Sequence, residues 1–530
     1  MTYSVMAPSN VDYSLYLVTD STPAILGGKD LVDVVEAALV GGVTIVQYRD
    51  KVSDTGTLVA IGRKLHAVTK KYNIPLLIND RVDVALAIGC EGVHIGQDDL
   101  DLKTARDLLG KDAVIGVTVS SIEQAQAACR DGANYLGIGT IFSTATKTNT
   151  KDIIGTAGTK EILREIADTG KDVRTVCIGG MNASTIQRVL YQSSYSKKSL
   201  DGVAVVSAII AADDPKAAAS ELRKLIQYSA PFADHLGNPY RAQGVEALLS
   251  GVPAILKKVG LKTPLSHNMT NLVVQNFAAN VALAIGASPI MANNGDEAVD
   301  LAQLGGALVI NMGTTTGEGL QNFSKALKAY NHTGGPVVFD PVGAGATTVR
   351  RGAVKILMAA GYFDLIKGNE GEIKTVFGQV VQQRGVDSGA SSSDAIEKAT
   401  LVRDLAARER NIVLMTGVVD YVSDGEYTFG IKNGHELLGQ ITGSGCVLGT
   451  ILSAMMAVSR DDKLLAAVAG LLQYEIAAEI AAVRDDVKGP GTFVPALIDE
   501  LYNIRKATAD GDLKWLERAK VEAIALPPVE

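Results

Sequence analysis

At 530 residues the chain is too long for a single hydrophobic core, and its length alone suggests roughly two to four domains. Hydrophobic residues make up 47% of it and charged residues 20%, a balance that excludes extensive disorder. The net charge of −8, with no basic cluster, speaks against a nucleic-acid partner, and the apolar runs are broken by Gly, Ser or charge before they reach the length of a membrane span. Cys90, Cys129, Cys177 and Cys446 lie far apart without metal-ligand spacing, as in a reducing compartment. Met1–Asn10 lacks the basic start and apolar run of a secretion signal, so a soluble, cytoplasmic protein is expected.

Short runs that are apolar almost throughout recur in the first half: Leu15–Thr19, Thr44–Tyr48, Leu76–Asn79, Gly92–Ile95, Val114–Thr118, Tyr135–Thr140, Arg174–Ile178 and Val203–Ser207. Helical patterns lie between them, among them Leu31–Val40, Thr57–Lys71, Ile122–Arg130 and Pro215–Gln227. The runs read as strands buried on both faces, as a parallel sheet requires. Eight alternations of strand and helix predict an α/β domain over 1–228 that closes as a (β/α)8 TIM barrel, with a doubly wound open sheet as the rival. Tyr191–Leu200 reads as a surface insertion, and 229–240, rich in Pro, Gly and polar residues, as a linker.

A barrel of this kind does its chemistry at the C-terminal ends of its strands. Here those ends carry Gln47-Tyr48-Arg49-Asp50-Lys51, Asn79-Asp80-Arg81, His94-Ile95-Gly96-Gln97-Asp98-Asp99, Thr144-Ala145-Thr146-Lys147, Gly179-Gly180 and Val206-Ser207. One such end alone is an ordinary solvated loop; together they form one polar rim. Asp80 and Asp99 are hard oxygen ligands suited to Mg2+, which takes a couple of carboxylates plus substrate phosphate oxygens. Arg49, Lys51 and Lys147 supply positive charge for phosphates. Gly180 and the backbone N–H groups around Val206 and Ser207 fit a phosphate cup after the seventh and eighth strands. The rim is therefore expected to bind a diphosphate through Mg2+ and, separately, a monophosphate.

The runs Q-Y-R-D-K, N-D-R, G-V-H-I-G-Q-D-D, T-A-T-K, I-G-G-M and V-V-S-A-I stand in order over residues 12–228 and resemble the thiamine-phosphate synthase family. The resemblance implies an enzyme that joins an aminopyrimidine methyl diphosphate to a thiazole phosphate and releases diphosphate. It implies that Gln47, Arg49, Lys51, Asn79, Thr118 and Lys147 contact the pyrimidine diphosphate, that Asp80 and Asp99 hold Mg2+, and that Thr144, Thr146, Gly180, Val206 and Ser207 hold the thiazole phosphate. Family members often carry Ser where Thr118 stands; Thr keeps the hydroxyl and adds a methyl. Departure of a metal-bound diphosphate needs positioning and charge neutralisation rather than a nucleophilic side chain.

From Arg241 the units become longer and less regular. Helical stretches are expected at Gly244–Lys258, Leu272–Ile285 and Glu297–Leu304, and strands at Pro289–Ala292, Ala307–Met312, Val337–Asp340, Leu365–Asn369 and Ile412–Gly417, with a β-ribbon across Asp420–Asn433. This predicts a three-layer α/β domain over 241–530, with a second barrel as the rival. Within it, Gln440-Ile441-Thr442-Gly443-Ser444-Gly445-Cys446 opens an apolar helix. A glycine turn at a helix start aims unpaired N–H groups and the positive end of the dipole at one spot, so Gly443, Ser444, Gly445 and Cys446 read as an anion hole; the plain alternative is a flexible entry turn. With the acidic strand end Asp340 and with Glu372 to hold Mg2+ or its waters, the loop makes a phosphoryl-transfer set. No G-x-x-x-x-G-K-[ST] sequence is present, so a P-loop kinase is excluded. His94 reads as structural, His66 and His332 as surface residues, and Gln382–Asp394 as a mobile loop.

The stretches H-N-M-T-N, G-A-S-P-I-M-A, D-P-V-G-A-G-A-T, I-K-G-N-E-G-E-I, N-G-H-E-L-L and T-G-S-G-C, over residues 244–525, resemble the hydroxyethylthiazole kinase family, which is ribokinase-like. The resemblance implies that Met291 and Gly443 line a thiazole site, that Lys367 and Thr416 contact ATP, and that Cys446 holds the catalytic position. Family members often have Arg where Lys367 stands, and many relatives have Asp where Cys446 stands. A thiol acts as a base only with a lowered pKa, which the helix N-terminus would help supply; otherwise Cys446 merely packs at the helix start. Taken together, the halves predict one chain that phosphorylates the thiazole alcohol and then couples it to the pyrimidine, acting on small molecules with no membrane or nucleic-acid partner. The alternatives are a thiazole-aromatising isomerase in the barrel, or one half as a thiazole-sensing regulatory module. The kinase resemblance also implies a homo-oligomer built on trimers, which a two-domain chain can pair into hexamers.

Overall fold

The computed structural model describes residues 10–144, 153–233, 244–379 and 394–527. The chain divides into two units, Met1–Ala230 and Pro231–Glu530.

In the first unit β1 (Leu15–Val18), β2 (Ile45–Tyr48), β3 (Leu76–Asn79), β4 (Gly92–Ile95), β5 (Val114–Val119), β6 (Tyr135–Ile138), β7 (Arg174–Cys177) and β8 (Gly202–Val205) pair in sequence order. All pairs are parallel, and β8 closes on β1 through Leu15 opposite Val203. The expected barrel is therefore closed. Side chains alternate across it, as the strand period demands. Leu15 and Leu17 join the core between sheet and helices, while Tyr16 and Val18 point into the barrel with Tyr135 and Val176. The returning helices start at side-chain caps: Asp30, Asp54, Asp101, Ser121 and Asp214 each accept backbone N–H groups of the first turn. Each cap satisfies donors that the helix leaves open and contributes about 1 kcal/mol.

Two expectations fail in this unit. Tyr191–Leu200 is not a loose surface insertion: the helix Ile186–Gln192 runs into it, Tyr191, Gln192 and Ser193 are buried, and Tyr195 pairs with Lys198 in a tight turn. His66 is not on the surface: it is 5% exposed on the helix Thr55–Lys71, and its Nε2 lies 3.1 Å from Glu91 Oε1. Glu91 in turn accepts the Leu76 N–H, so the pair ties a helix to the start of β3.

The second unit is built on nine strands: β9 (Leu265–Met269), β10 (Ser288–Ile290), β11 (Ala307–Asn311), β12 (Val337–Asp340), β13 (Leu365–Asn369), β14 (Ile412–Thr416), β15 (Asp420–Ser423), β16 (Thr428–Ile431) and β17 (Val521–Ala523). Their order is β10-β9-β11-β12-β13-β14-β15-β16-β17, parallel as far as β14 and antiparallel beyond. Val309, Val338 and Leu365 face one helical layer, which includes Ser444–Val458, Lys463–Ala482 and Pro490–Asp510; Leu308, Ile310 and Ile366 face the other, which includes Gly317–Thr333, Thr348–Ala360 and Ala395–Glu409. This is the expected three-layer α/β arrangement. The helix Lys463–Ala482 is long and apolar enough to cross a bilayer, longer than the broken sequence pattern suggested, but 89% of its most apolar stretch is buried inside the fold.

The segment read as a linker begins the second core. Phe232 is 6% exposed and stacks on Tyr362 at 4.5 Å, and its carbonyl accepts from Lys463 Nζ at 2.8 Å. Lys463 also pairs with the buried Asp364 at 2.9 Å. Residues 234–240 of that segment, and all of Gln382–Asp394 except Asp394, lie outside the described residues.

Candidate functional site

The C-terminal ends of the barrel strands surround a cavity of about 970 Å3. Gln47, Arg49, Lys51, Asn79, Asp80, Asp99, Thr118, Thr144, Gly180, Val206 and Ser207 all line it. Thr146 and Lys147 lie outside the described residues. The strands deliver these groups because each loop leaves β-structure directly at the rim. Asp80 turns into the left-handed region one residue after β3, with φ 62°. Gly179 and Gly180 do the same after β7, at φ 104° and 71°, and a Cβ on Gly180 would press on Phe142 at 2.9 Å. Only glycine gives the backbone that closeness.

Charge in the cavity is arranged in pairs. Lys51 Nζ lies 3.2 Å from Asp80 Oδ2. Burial, and then a hydrogen bond and like charge from Asp99, push the Asp80 carboxyl above the ordinary range, with Lys51 pulling the other way. Two carboxylates this close repel unless a cation joins them, so the donor set fits a divalent ion completed by phosphate oxygens. Asp99 Oδ2 is steadied by the Gly96 N–H at 2.7 Å. Arg49 is held by Asp20 at 3.4 Å, a buried residue that also accepts from Thr22. Sequence reasoning missed Asp20, although it follows β1 directly and so stands at the same rim. It also missed that His94 takes part in the cavity wall, where its ring nitrogens meet Tyr135 and Thr118.

In the second unit Asp340, Lys367, Glu372 and Thr416 stand at or just beyond the C-terminal ends of β12, β13 and β14, Gly443 to Cys446 at the start of the helix Ser444–Val458, and Met291 after β10. Lys367 is 3% exposed; its Nζ donates to Asp340 Oδ2 at 3.0 Å and to the Gly445 carbonyl at 2.8 Å. Burial alone would lower its pKa, but Asp340, with Cys446 and Glu372, outweighs this and holds the ammonium above the ordinary lysine range. The other oxygen of the buried Asp340, Oδ1, has no hydrogen-bond partner. Such an orphan points toward a ligand. Glu372 Oε1 accepts the Gly343 N–H and Oε2 the Asn369 N–H, so it first serves as a cap of the helix Glu370–Phe377. Burial and the Asp340 charge raise it to about 7. Thr416 stands at the end of β14 opposite Asn369. Gly443 caps the glycine-entered helix at φ 85°, with Val274 only 2.8 Å from where a Cβ would sit. Met291 follows β10 and packs, half-buried, against the same core as Cys446.

Cys446 departs from expectation. Its thiol pKa is not lowered by the helix start; burial pushes it up to about 11, the Asp340 charge adds to this, and Lys367 offsets only part. Asn271 Nδ2 donates to its sulfur at 3.4 Å and to Asn311 Oδ1 at 3.0 Å, and Asn311 Nδ2 donates to Asp340 Oδ2 at 2.8 Å. These two asparagines, which link Cys446 to the ion pair, were not singled out in the sequence. Each closes or follows a strand, β11 in one case and β9 in the other, and that position is the signal that could have found them.

Two family models match the chain: the thiamine monophosphate synthase family over residues 15–209 and the hydroxyethylthiazole kinase family over 256–507. The chain is 44% identical to a probable thiamine biosynthetic bifunctional enzyme of Schizosaccharomyces pombe, covering 97% of this chain and 99% of the relative. The chain belongs to the thiamine biosynthetic bifunctional enzymes. A second member, from Saccharomyces cerevisiae, is 38% identical over 94% of this chain and 97% of its own. The solved hydroxyethylthiazole kinase of Pyrococcus horikoshii is 38% identical, with 52% of this chain and all of that one covered at a TM-score of 0.46. In this bifunctional enzyme the barrel is thus the thiamine-phosphate synthase domain and the three-layer unit the hydroxyethylthiazole kinase domain.

Proposed function

We propose that the kinase domain phosphorylates the hydroxyl of hydroxyethylthiazole with ATP. The synthase domain then couples the thiazole phosphate to the aminopyrimidine methyl diphosphate, giving thiamine phosphate and diphosphate. The observation that carries this reading is the cavity at the barrel rim, where a cation pair, an acidic pair and a glycine cup face one another. Arg49 and Lys51, with Lys147, neutralise the diphosphate, which Thr118 also contacts; Gln47 and Asn79 orient its pyrimidine end. Asp80 and Asp99 would hold Mg2+, which makes diphosphate a better leaving group. The C–O bond to the pyrimidine methylene breaks with its electron pair leaving on diphosphate, and the thiazole nitrogen lone pair forms the new C–N bond. Gly180, Val206 and Ser207, with Thr144 and Thr146, hold the thiazole phosphate meanwhile, so the reacting atoms are positioned rather than activated.

In the kinase domain the N–H groups of Ser444, Gly445 and Cys446 face the transferred phosphoryl group, with Gly443 and Met291 against the thiazole and Lys367 and Thr416 against ATP. The orphaned Asp340 oxygen would hold Mg2+, and Glu372, whose oxygens each accept a backbone N–H, would supply the second carboxylate for the ion or its waters. A thiol at about 11 is neutral, so Cys446 acts as a positioned neutral group. Phosphoryl transfer through a loose transition state makes little early demand for a base. Four unpaired cysteines support a reducing, cytoplasmic setting. Exposed Leu272, Val273, Leu283 and Tyr502 are consistent with a homo-oligomer, and it is the family resemblance that suggests trimers paired into a hexamer. The test is one assay with Mg2+, pyrimidine diphosphate and unphosphorylated thiazole alcohol, with and without ATP. Thiamine phosphate forms only with ATP; its appearance without ATP refutes the order of steps.

A further inference from the structure

The floor of the synthase cavity is a run of hydrogen bonds that no step above uses. Gln47 Nε2 donates to Tyr16 Oη at 2.8 Å; Tyr16 Oη and Tyr135 Oη lie 2.7 Å apart; Tyr135 Oη meets His94 Nδ1 at 2.7 Å; His94 Nε2 meets Thr118 Oγ1 at 2.8 Å. The five side chains come from β1, β2, β4, β5 and β6 and cross the barrel. Gln47 and Thr118, at the two ends, line the cavity, as do Tyr16 and His94 between them, while Tyr135 is fully buried beneath. Two inward strand positions are glycine where the rings pass. A Cβ on Gly116 would overlap the Tyr135 ring, and one on Gly137 would meet His94 Cε1 at 2.9 Å. The barrel is shaped around this run.

Counting protons gives it a direction. Each phenol has one O–H, and a neutral imidazole has one N–H and one lone pair. Since Gln47 donates to Tyr16, Tyr16 donates to Tyr135, Tyr135 to His94 Nδ1, and His94 Nε2–H to Thr118; the Thr118 proton is left for the cavity. Burial holds both phenols well above the ordinary tyrosine range, so neither gives up its proton. Turning the Gln47 amide over reverses every bond, and Thr118 then spends its proton on His94.

We propose that this run is a polarity relay, in which the pyrimidine edge read by Gln47 decides whether Thr118 can donate to the diphosphate. The proposal rests on the synthase reading. An aminopyrimidine offers an N–H beside a ring lone pair, which matches the Gln47 carbonyl and its remaining N–H and keeps Thr118 a donor. An oxo-pyrimidine offers the reverse pattern, needs the amide turned over, and loses the Thr118 donor at the far end. The relay thus carries one discrimination to two places.

The test uses the whole chain, with thiazole phosphorylation as the control for folding. Synthase kcat/KM is measured for the aminopyrimidine diphosphate and its oxo counterpart, in wild type and in Tyr135→Phe. Cutting the relay leaves both ends in place, so the amino-over-oxo preference is expected to fall about tenfold with phosphorylation unchanged. Equal loss on both pyrimidines, with the ratio intact, overturns the relay and leaves the synthase reading standing. Wild type that joins neither pyrimidine overturns both. Should Tyr135→Phe fail to fold, NMR of isotope-labelled histidine in wild type decides, with His94→Asn assigning the signal among the six histidines. The Nε2–H tautomer with aminopyrimidine diphosphate bound is expected; the Nδ1–H tautomer refutes the proposal.

Discussion

Asp80 sits between two charges of the synthase cavity, Lys51 on one side and Asp99 on the other, on a left-handed backbone that strains a β-branched residue. Asp80→Ala is expected to lower coupling about a hundredfold or more while sparing phosphorylation, measured in one preparation. Coupling that survives with unaltered Mg2+ dependence would remove Asp80 from the metal site. At Cys446 the raised thiol pKa sets the opposite expectation. Cys446→Ser should keep most kinase turnover and Cys446→Ala lose about tenfold, whereas Lys367→Ala should lose far more. A Cys446→Ser enzyme as dead as Lys367→Ala would restore the thiolate base. The placement of Asp80, Asp340 and Lys367 was legible because each ends or follows an apolar run, and strand ends converge. The state of Cys446 was not, because a helix dipole is visible in a sequence while the burial that overrides it is not.

Strands were easier to read than what joins them. Every barrel run was found to within a residue or two because double burial leaves a continuous apolar signature. The helices Gly317–Thr333 and Thr348–Ala360 passed unmarked, since polar outer faces dilute their pattern. His66 reads as a surface residue in the sequence because its partner, Glu91, lies on another element. A second pairing of this kind joins β15 to the helix Lys463–Ala482. Asp420 and Glu475 are both buried, share a hydrogen bond, and are raised by burial, Glu475 well above its ordinary 4.5; one Glu475 oxygen has no partner. Above pH 4.5 the native state keeps a proton that the unfolded chain has released. Stability from this pair is therefore fully present at low pH and is lost as pH rises through the folded pKa. Glu475→Gln keeps a hydrogen-bonding group and removes the second charge. It should flatten the fall in melting temperature of the kinase domain as pH rises above 4.5. An unchanged slope would mean the pair is not the source.

At the scale of the whole chain, the segment after Ala230 was read as a linker from its Pro, Gly and polar content. Composition could not show that Phe232 would find Tyr362, or that Lys463 would reach back to its carbonyl. Phe232→Ala is expected to destabilise the kinase unit by about 3 kcal/mol, seen as earlier thermal loss of phosphorylation. Coupling measured with thiazole phosphate supplied directly should be unaffected. If both activities fell together, Phe232 would not belong to the second core alone. Mixing Asp80→Ala with Lys367→Ala chains should restore ATP-dependent thiamine phosphate, since each retains one complete site.

Placing both sites on one polypeptide also equalises their numbers. However much of the chain a cell makes, each synthase centre arrives with one kinase centre, so transcription, translation and degradation cannot alter their ratio. The balance between the two conversions is then written into the two turnover rates, and so into residues such as Lys367 and Asp80. Selection for a different balance has to act on those residues, because gene dosage is blind to it.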